Sequence, residues 1–196
     1  MSLSELDTSL FFLINKGLQN SLFDSLMPFL TQRGLLLCLP FLVWAGVKDQ
    51  KNIIPYILLS IVAVGLADGS GNILKHTFER VRPCRALEGV NLLVGCGKAF
   101  SMPSNHAANG FAFALTFWPL RRWVLTYACV FLASAVAFSR VYIGVHYPGD
   151  VIVGAAVGAT AAALTLFLYR WLMKIYRGKC YHSSGSNPDV EAGEGF

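Results

Sequence analysis

Apolar residues fill long blocks of this chain, and short polar islands separate the blocks. Residues 4 to 18 place Leu6, Leu10, Leu13, Ile14 and Leu18 along one helical face, with polar residues opposite. That pattern predicts a short helix lying in a membrane interface. Residues 26 to 47 form a first apolar block, interrupted by Gln32 and Arg33, with its unbroken part running from Gly34 to Val47. Further blocks cover 53–75, 105–120, 123–140 and 149–173. A membrane-spanning helix needs about 20 residues at ~1.5 Å each. The third block is short by that measure, so one of its ends is expected to lie below the membrane surface. The prediction is an all-α, polytopic transmembrane helix bundle of five spans plus an N-terminal interfacial helix. A six-span count, dividing residues 4–47 in two, is the alternative. Gly154, Ala155, Ala156, Gly158, Ala159, Ala161, Ala162 and Ala163 crowd the last span and would let helices approach closely in lipid. Residues 1–177 are expected to form a single domain. The polar, Gly/Ser-rich stretch 178–196 is expected to be a disordered cytoplasmic tail.

Composition agrees with this pattern. Of the 196 residues, 55% are hydrophobic and only 14% charged, against about 25% charged in a soluble domain. The net charge of +5 falls mostly between apolar runs, which favours membrane topology or an anionic head group over nucleic acid. The N-terminus carries acids rather than a basic leader. The first apolar helices are therefore expected to act as the insertion signal. "KDQK" (48–51), "RR" (121–122) and "KIYRGK" (174–179) would share one side. Segments 76–104 and 139–148 would share the other. With Lys75, Arg82 and Arg140 set aside as functional, the first side holds more cations and is placed in the cytoplasm. Cys84 and Cys96 then fall in one external loop. Spacing alone leaves open whether they form a disulfide or two free thiols.

Three polar islands would converge on the outer side: "KHTFERVRP" (75–83), "SMPSNH" (101–106) and "SRVYIGVHYPGD" (139–150). Ionisable residues at such depth point to function. Lys75, Arg82 and Arg140 supply three cations, and the arginine forks match phosphate oxygens. Ser104 is placed as an N-cap, so the backbone amides of Asn105 and His106 can face an anion. These parts make a phosphate cradle without a metal. His146 precedes Asp150 by four residues, and Pro148 suits a first helical turn. A carboxylate on one ring nitrogen would leave the other nucleophilic, and His106 can serve as general acid and base.

The three islands read K-x6-RP at 75–83, PSNH at 103–106 and SR-x5-H-x3-D at 139–150. Together they resemble the tripartite signature of the type 2 phosphatidic acid phosphatase superfamily, which also includes vanadium haloperoxidases and bacterial acid phosphatases. The resemblance implies an integral membrane phosphatase in which His146 forms a phosphohistidine, Asp150 orients it and His106 handles protons. Lys75, Arg82, Ser104, Asn105 and Arg140 would bind the phosphate. No cofactor, metal or protein partner is implied beyond the lipid substrate and the bilayer. The family's usual PSGH has Asn105 in place of glycine here. Its amide can still donate, while its side chain would narrow the pocket or touch the head group.

Small bacterial members include undecaprenyl pyrophosphate phosphatases, lipid A 1-phosphatases and phosphatidylglycerophosphate phosphatases, and the compact chain resembles the first two. The expected location is a bacterial inner membrane with the site on the extracytoplasmic side. Halide peroxidation with vanadate is a second enzymatic reading, but those members are soluble. A lipid-phosphate transporter or binding protein is the rival from another class, though it would need neither His106, His146 nor Asp150. Other polar residues have plainer readings. His76 is expected to be structural, and Arg80, Arg85 and Lys98 to be loop charges, with contact to lipid phosphates as the alternative. Asp68, Ser70 and Asn72 form a polar stripe in the second span. Asp68, like Asn109, either supports the site or is paired within the bundle.

Overall fold

The computed structural model describes residues 2–48 and 50–184. Helix α1 (Leu3–Asn15) opens with a capping box. Glu5 N donates to Ser2 Oγ (3.2 Å), and Ser2 N donates to Glu5 Oε2 (2.8 Å), satisfying two first-turn donors. Its leucines Leu3, Leu6, Leu10 and Leu13 are exposed, while Phe11 and Asn15 are buried. The leucines of the stripe therefore face outward, as an interfacial helix requires, while Ile14 and the opposite face fasten α1 to the bundle. Asn15 Nδ2 donates to Asn91 O (2.8 Å) and Tyr142 O (2.7 Å).

Helix α2 (Ser21–Arg33) and helix α3 (Leu39–Lys48) are joined by a 3₁₀ turn, Gly34–Cys38. The break falls just after Gln32 and Arg33. The two arms bend by 76°, so the first expected span is a broken pair. Helix α4 (Gln50–Phe78) is long and is followed by the single turn α5 (Pro83–Ala86). Cys84 in that turn is bonded to Cys96, with Cα atoms 6.2 Å apart. The two-thiol alternative therefore falls, and the loop between α5 and α6 is tethered.

Helix α6 (Asn105–Thr116) has only 12 residues, a length of about 18 Å. It is the central helix: Ala107, Ala108, Gly110, Ala112 and Ala114 are all buried, against α4, α7 (Trp123–Tyr142) and α8 (Pro148–Ser184). The expected shortness of the third span is thus real. By length and composition, three stretches among the described residues suffice to cross a membrane: Ile53–Ala86, Trp123–Tyr142 and Pro148–Arg177. The bent pair makes a fourth if counted as one span, and α6 is the buried fifth element. Helix α8 continues through Ser184, so residues 178–184 of the expected tail are helical. Residues 185–196 lie outside the described residues.

The glycines of α8 set how near α6 can come. A Cβ at Gly154 would sit 2.5 Å from Ser104 O, and one at Gly158 would strike Ala108 O. Both obstacles are backbone and cannot rotate away. Gly158→Ala is expected to cost about 1–3 kcal/mol by overpacking, read as a lower Tm of the purified protein. Gly65→Ala in α4 meets nothing within 4 Å and should hold or raise Tm, since alanine is the better helix former.

Candidate active site

Four helix ends meet at one end of the bundle. They are the C-termini of α4 and α7 and the N-termini of α6 and α8, and they carry the three polar islands. Backbone bonds lock the islands together. Ser104 N donates to Asp150 O (2.9 Å), and Ser101 N donates to Arg80 O (2.8 Å). Side chains do the same work. Lys75 Nζ, buried at the end of α4, donates to Phe100 O (3.4 Å) and to Pro103 O. Arg82 Nε donates to Ala99 O (2.7 Å). The cations thus brace the loop that leads into α6.

His146 lies in the linker between α7 and α8, with its side chain only 3% exposed. Gly144 (φ +87°) turns the chain there, where a Cβ would sit 2.8 Å from Asn91 O. Arg82 Nη1 is 3.1 Å from His146 Nε2. A guanidinium is always protonated, so Nε2 must be the acceptor in this contact, and the proton of the neutral ring belongs on Nδ1. Nδ1 faces Asp150 Oδ2 at 3.4 Å, an electrostatic contact long for a hydrogen bond. Burial pushes the imidazole down to about 3; the Asp150 contact opposes that shift, and the charges of Arg82 and Arg140 add to it. The ring is therefore neutral near pH 7, with its lone pair turned toward a cation.

Asp150 is wholly buried and has both oxygens engaged. Tyr147 N donates to Oδ2 (2.9 Å), and Arg80 Nη1 donates to Oδ1 (2.9 Å). Arg80 is thus no loop charge: it is ion-paired to the carboxylate that faces His146 and also to Asp7 (2.6 Å). Arg80 lies five residues after Lys75 and two before Arg82, a place that carries no periodic signal, and Asp7 is distant in sequence. Only the tertiary fold joins them. Arg85, by contrast, stays exposed on Lys98 O (3.2 Å), and His76 is exposed beside the Phe100 ring; both fit their plain readings.

Ser104 occupies the N-cap position of α6, but its side chain makes no cap hydrogen bond. The expected N-cap placement holds, while the buried Oγ has no hydrogen-bond partner among the described residues. Arg140 Nη1 donates to Thr31 Oγ1 (2.6 Å), while its buried Nε has no partner among the described residues. These orphan donors cost free energy unless something accepts from them. They lie at the same end of the bundle as the first-turn amides of α6, a set of donors with the chemistry to receive an anion. His106, the second residue of α6, is exposed at its mouth.

Asn105 explains its own presence. Its Nδ2 donates to Asp68 Oδ1 (2.9 Å) and Asn72 Oδ1 (3.0 Å), and Asn109 Nδ2 donates to the same Asp68 Oδ1 (3.1 Å). Gly71 makes room, since a Cβ there would sit 2.9 Å from Asn105 Oδ1. Asp68 and Asn72 of the α4 stripe are therefore paired with α6 within the bundle, while Ser70 Oγ donates back to Leu66 O of its own helix (2.7 Å). Asn105→Gly is expected to cost about 1–2 kcal/mol of stability through two lost hydrogen bonds. Hydrolysis should stay within about tenfold of wild type, or ~1.4 kcal/mol. Tm and kcat/KM together check this.

Fold and site define an integral membrane protein of α-helices, with two histidines and the cations Lys75, Arg82 and Arg140 gathered at one end of the bundle. The chain belongs to the PAP2 superfamily, whose family profile matches residues 56–175. It is 30% identical over 179 residues to a lipid A 4'-phosphatase of Bacteroides thetaiotaomicron, covering 85% of this chain and 78% of that protein. It is 29% identical over 166 residues to an undecaprenyl-diphosphatase of Sulfolobus acidocaldarius, covering 82% and 77%. Among solved structures it resembles LpxE of Aquifex aeolicus, with a TM-score of 0.67, 28% identity, and coverage of 85% of this chain and 99% of that one. The protein is thus a member of a membrane lipid phosphatase family.

Proposed function

We propose that this protein hydrolyses the phosphate or pyrophosphate group of a membrane lipid at the extracytoplasmic face, through a phosphohistidine on His146. The observation that carries this reading is the two-sided setting of the His146 ring, with Nδ1 toward Asp150 and the Nε2 lone pair toward Arg82. Nε2 attacks phosphorus, and the bond from phosphorus to the lipid-side oxygen breaks as His106 gives that oxygen a proton. A water, deprotonated by His106, then attacks the phosphohistidine. Inorganic phosphate leaves and Nε2 regains its lone pair. Arg82, Arg140, Ser104 and the α6 amides bind the phosphoryl oxygens and supply charge stabilisation that a metal supplies in other phosphatases. Lys75 adds its charge while bracing Pro103.

The lipid tail has a route to this end of the bundle. An apolar groove of about 520 Å³ runs between α4 and α8, lined by Leu66, Leu74, Ile152, Val153, Val157 and Leu164. The opposite ends of the same helices carry Arg170, Lys174 and Arg177 beside Tyr56 and Tyr169. A basic end of that kind favours the cytoplasm, which supports the reading of an extracytoplasmic site in a bacterial inner membrane. The favoured substrates are undecaprenyl pyrophosphate and a lipid A phosphate, the chemistry named in the relatives above. Phosphatidylglycerophosphate and phosphatidic acid are the alternatives.

The test is phosphate release by purified protein across these four lipids in EDTA, with rapid quenching of radiolabelled substrate. Release in EDTA, with an acid-labile, base-stable label on His146, is expected. A need for added Mg²⁺ removes the metal-free mechanism. Tight lipid-phosphate binding without any release means a transporter or binding protein instead.

A further inference from the structure

We infer that Asp7 and Arg80 are positioning residues for the reaction: they hold Asp150, and through it His146, with α1 strapped across the start of α8. This rests on the phosphohistidine reading above. The geometry is a continuous chain of charge. Asp150 Oδ1 accepts from Arg80 Nη1 at 2.9 Å, and Arg80 Nη2 donates to Asp7 Oδ2 at 2.6 Å. The other oxygen of Asp7 accepts from Gly149 N at 2.8 Å. That amide belongs to the first turn of α8, where backbone donors have no partner within the helix. Asp7 thus caps α8 from a different helix, next to Asp150. Gly149 is what admits it, since a Cβ there would meet Asp7 Oδ2 at 2.8 Å. The Arg80 guanidinium also lies 3.9 Å from the centre of the Tyr147 ring. Tyr147 N in turn holds the second oxygen of Asp150.

Two features set this apart from an ordinary surface ion pair. First, the Asp150 side chain is 0% exposed. Removing Arg80 leaves a buried carboxylate without its counter-charge, free to turn away from the His146 ring. Second, both terminal nitrogens of Arg80 are taken by carboxylates. It is therefore committed to orientation, unlike Arg82, whose Nη1 points at His146. Displacement of a reacting group by ~1 Å can cost on the order of 10²-fold in rate, so loss of this brace should be felt in kcat. Phosphate binding does not pass through Arg80, so KM should stay.

The experiment uses full-length protein in lipid nanodiscs, with whichever of the four lipids it hydrolyses. Arg80→Gln is expected to lower kcat about 10–100-fold with KM within ~3-fold. Arg80→Lys and Asp7→Asn should lower it less, in the same direction. The decisive comparison is on an Asp150→Asn background, where Arg80→Gln should change kcat by less than about threefold, because residues acting as a unit are not additive. Full additivity there overturns the inference, as does a raised KM with kcat kept, which would make Arg80 a phosphate ligand. If Arg80→Gln does not fold, by size exclusion and Tm, the same cycle run with Asp7→Asn decides. Failure of the underlying reading shows separately, as wild type that turns over without a label on His146. A labelled wild type with unaltered Arg80→Gln and Asp7→Asn kinetics sinks the positioning role alone.

Discussion

His146→Ala is expected to lower turnover by about 10⁴–10⁶-fold, the scale on which removing a nucleophile acts. The variant keeps the rest of the anion site: Arg82, Arg140, Ser104 and the amides of α6 do not depend on the imidazole for their backbone positions. Lipid-phosphate binding should therefore survive, and the loss should fall on kcat. The measurement is phosphate release beside equilibrium binding of a non-hydrolysed lipid phosphonate. Release within tenfold of wild type would remove His146 from the reaction. The ring's ionisation adds a second readout. Burial holds His146 down to about 3 in the folded protein, against an ordinary value of 6.5. The unfolded chain binds a proton there first. Native stability is therefore lost as pH falls from about 6.5 toward 3, and His146→Ala should flatten that part of the stability curve. For the same reason, an acidic limb in kcat between pH 5 and 7 should not come from His146.

The bundle and the meeting of the three polar islands were legible in the sequence because both rest on local signals. Long apolar blocks predict helices, and the shortness of 105–120 reappears as the 12-residue α6. The pairing of His146 with Asp150 follows from one helical turn. What escaped was set by tertiary contact. The leucine stripe of α1 has a helical period whichever way it faces, so it hid that Asp7, Phe11 and Asn15 are the residues that dock. Arg80 looked like its neighbour Arg85, and no spacing rule separates a charge that reaches Asp150 from one that stays in solvent. The 3₁₀ break after Arg33 was visible only as an interruption at Gln32 and Arg33. Ser104 has the residue type and position of a cap, yet its buried hydroxyl has no partner among the described residues. A hydroxyl's direction is a packing outcome that composition does not encode. Asn105 departs from the family's glycine because Asp68, Gly71 and Asn72 of α4 are shaped to receive it.

Arg82→Lys is expected to lower kcat/KM by about 10²–10³-fold, the usual effect of losing one well-aimed donor to a developing charge. The charge is kept, so the change isolates geometry. Arg82 is nearly buried at 8% exposure, and it makes three directed contacts at once. Nε reaches Ala99 O (2.7 Å), while Nη1 reaches Val145 O (3.1 Å) and lies 3.1 Å from His146 Nε2. An ammonium is a compact point charge and cannot span that fork. Lysine would leave at least one of the two carbonyls unpaired, and one of those carbonyls belongs to the residue just before His146. The nucleophile's linker and the phosphoryl oxygens would thus lose the same support together. Most of the loss should appear in kcat, because Nη1 of the fork lies against the imidazole nitrogen proposed to attack phosphorus. Arg85→Lys, three residues on and exposed, is the control and should leave kcat/KM within about twofold, as surface changes of this kind are small. If both variants hydrolyse the lipid at similar rates, the charge of Arg82 alone is what the reaction needs, and the fork is not.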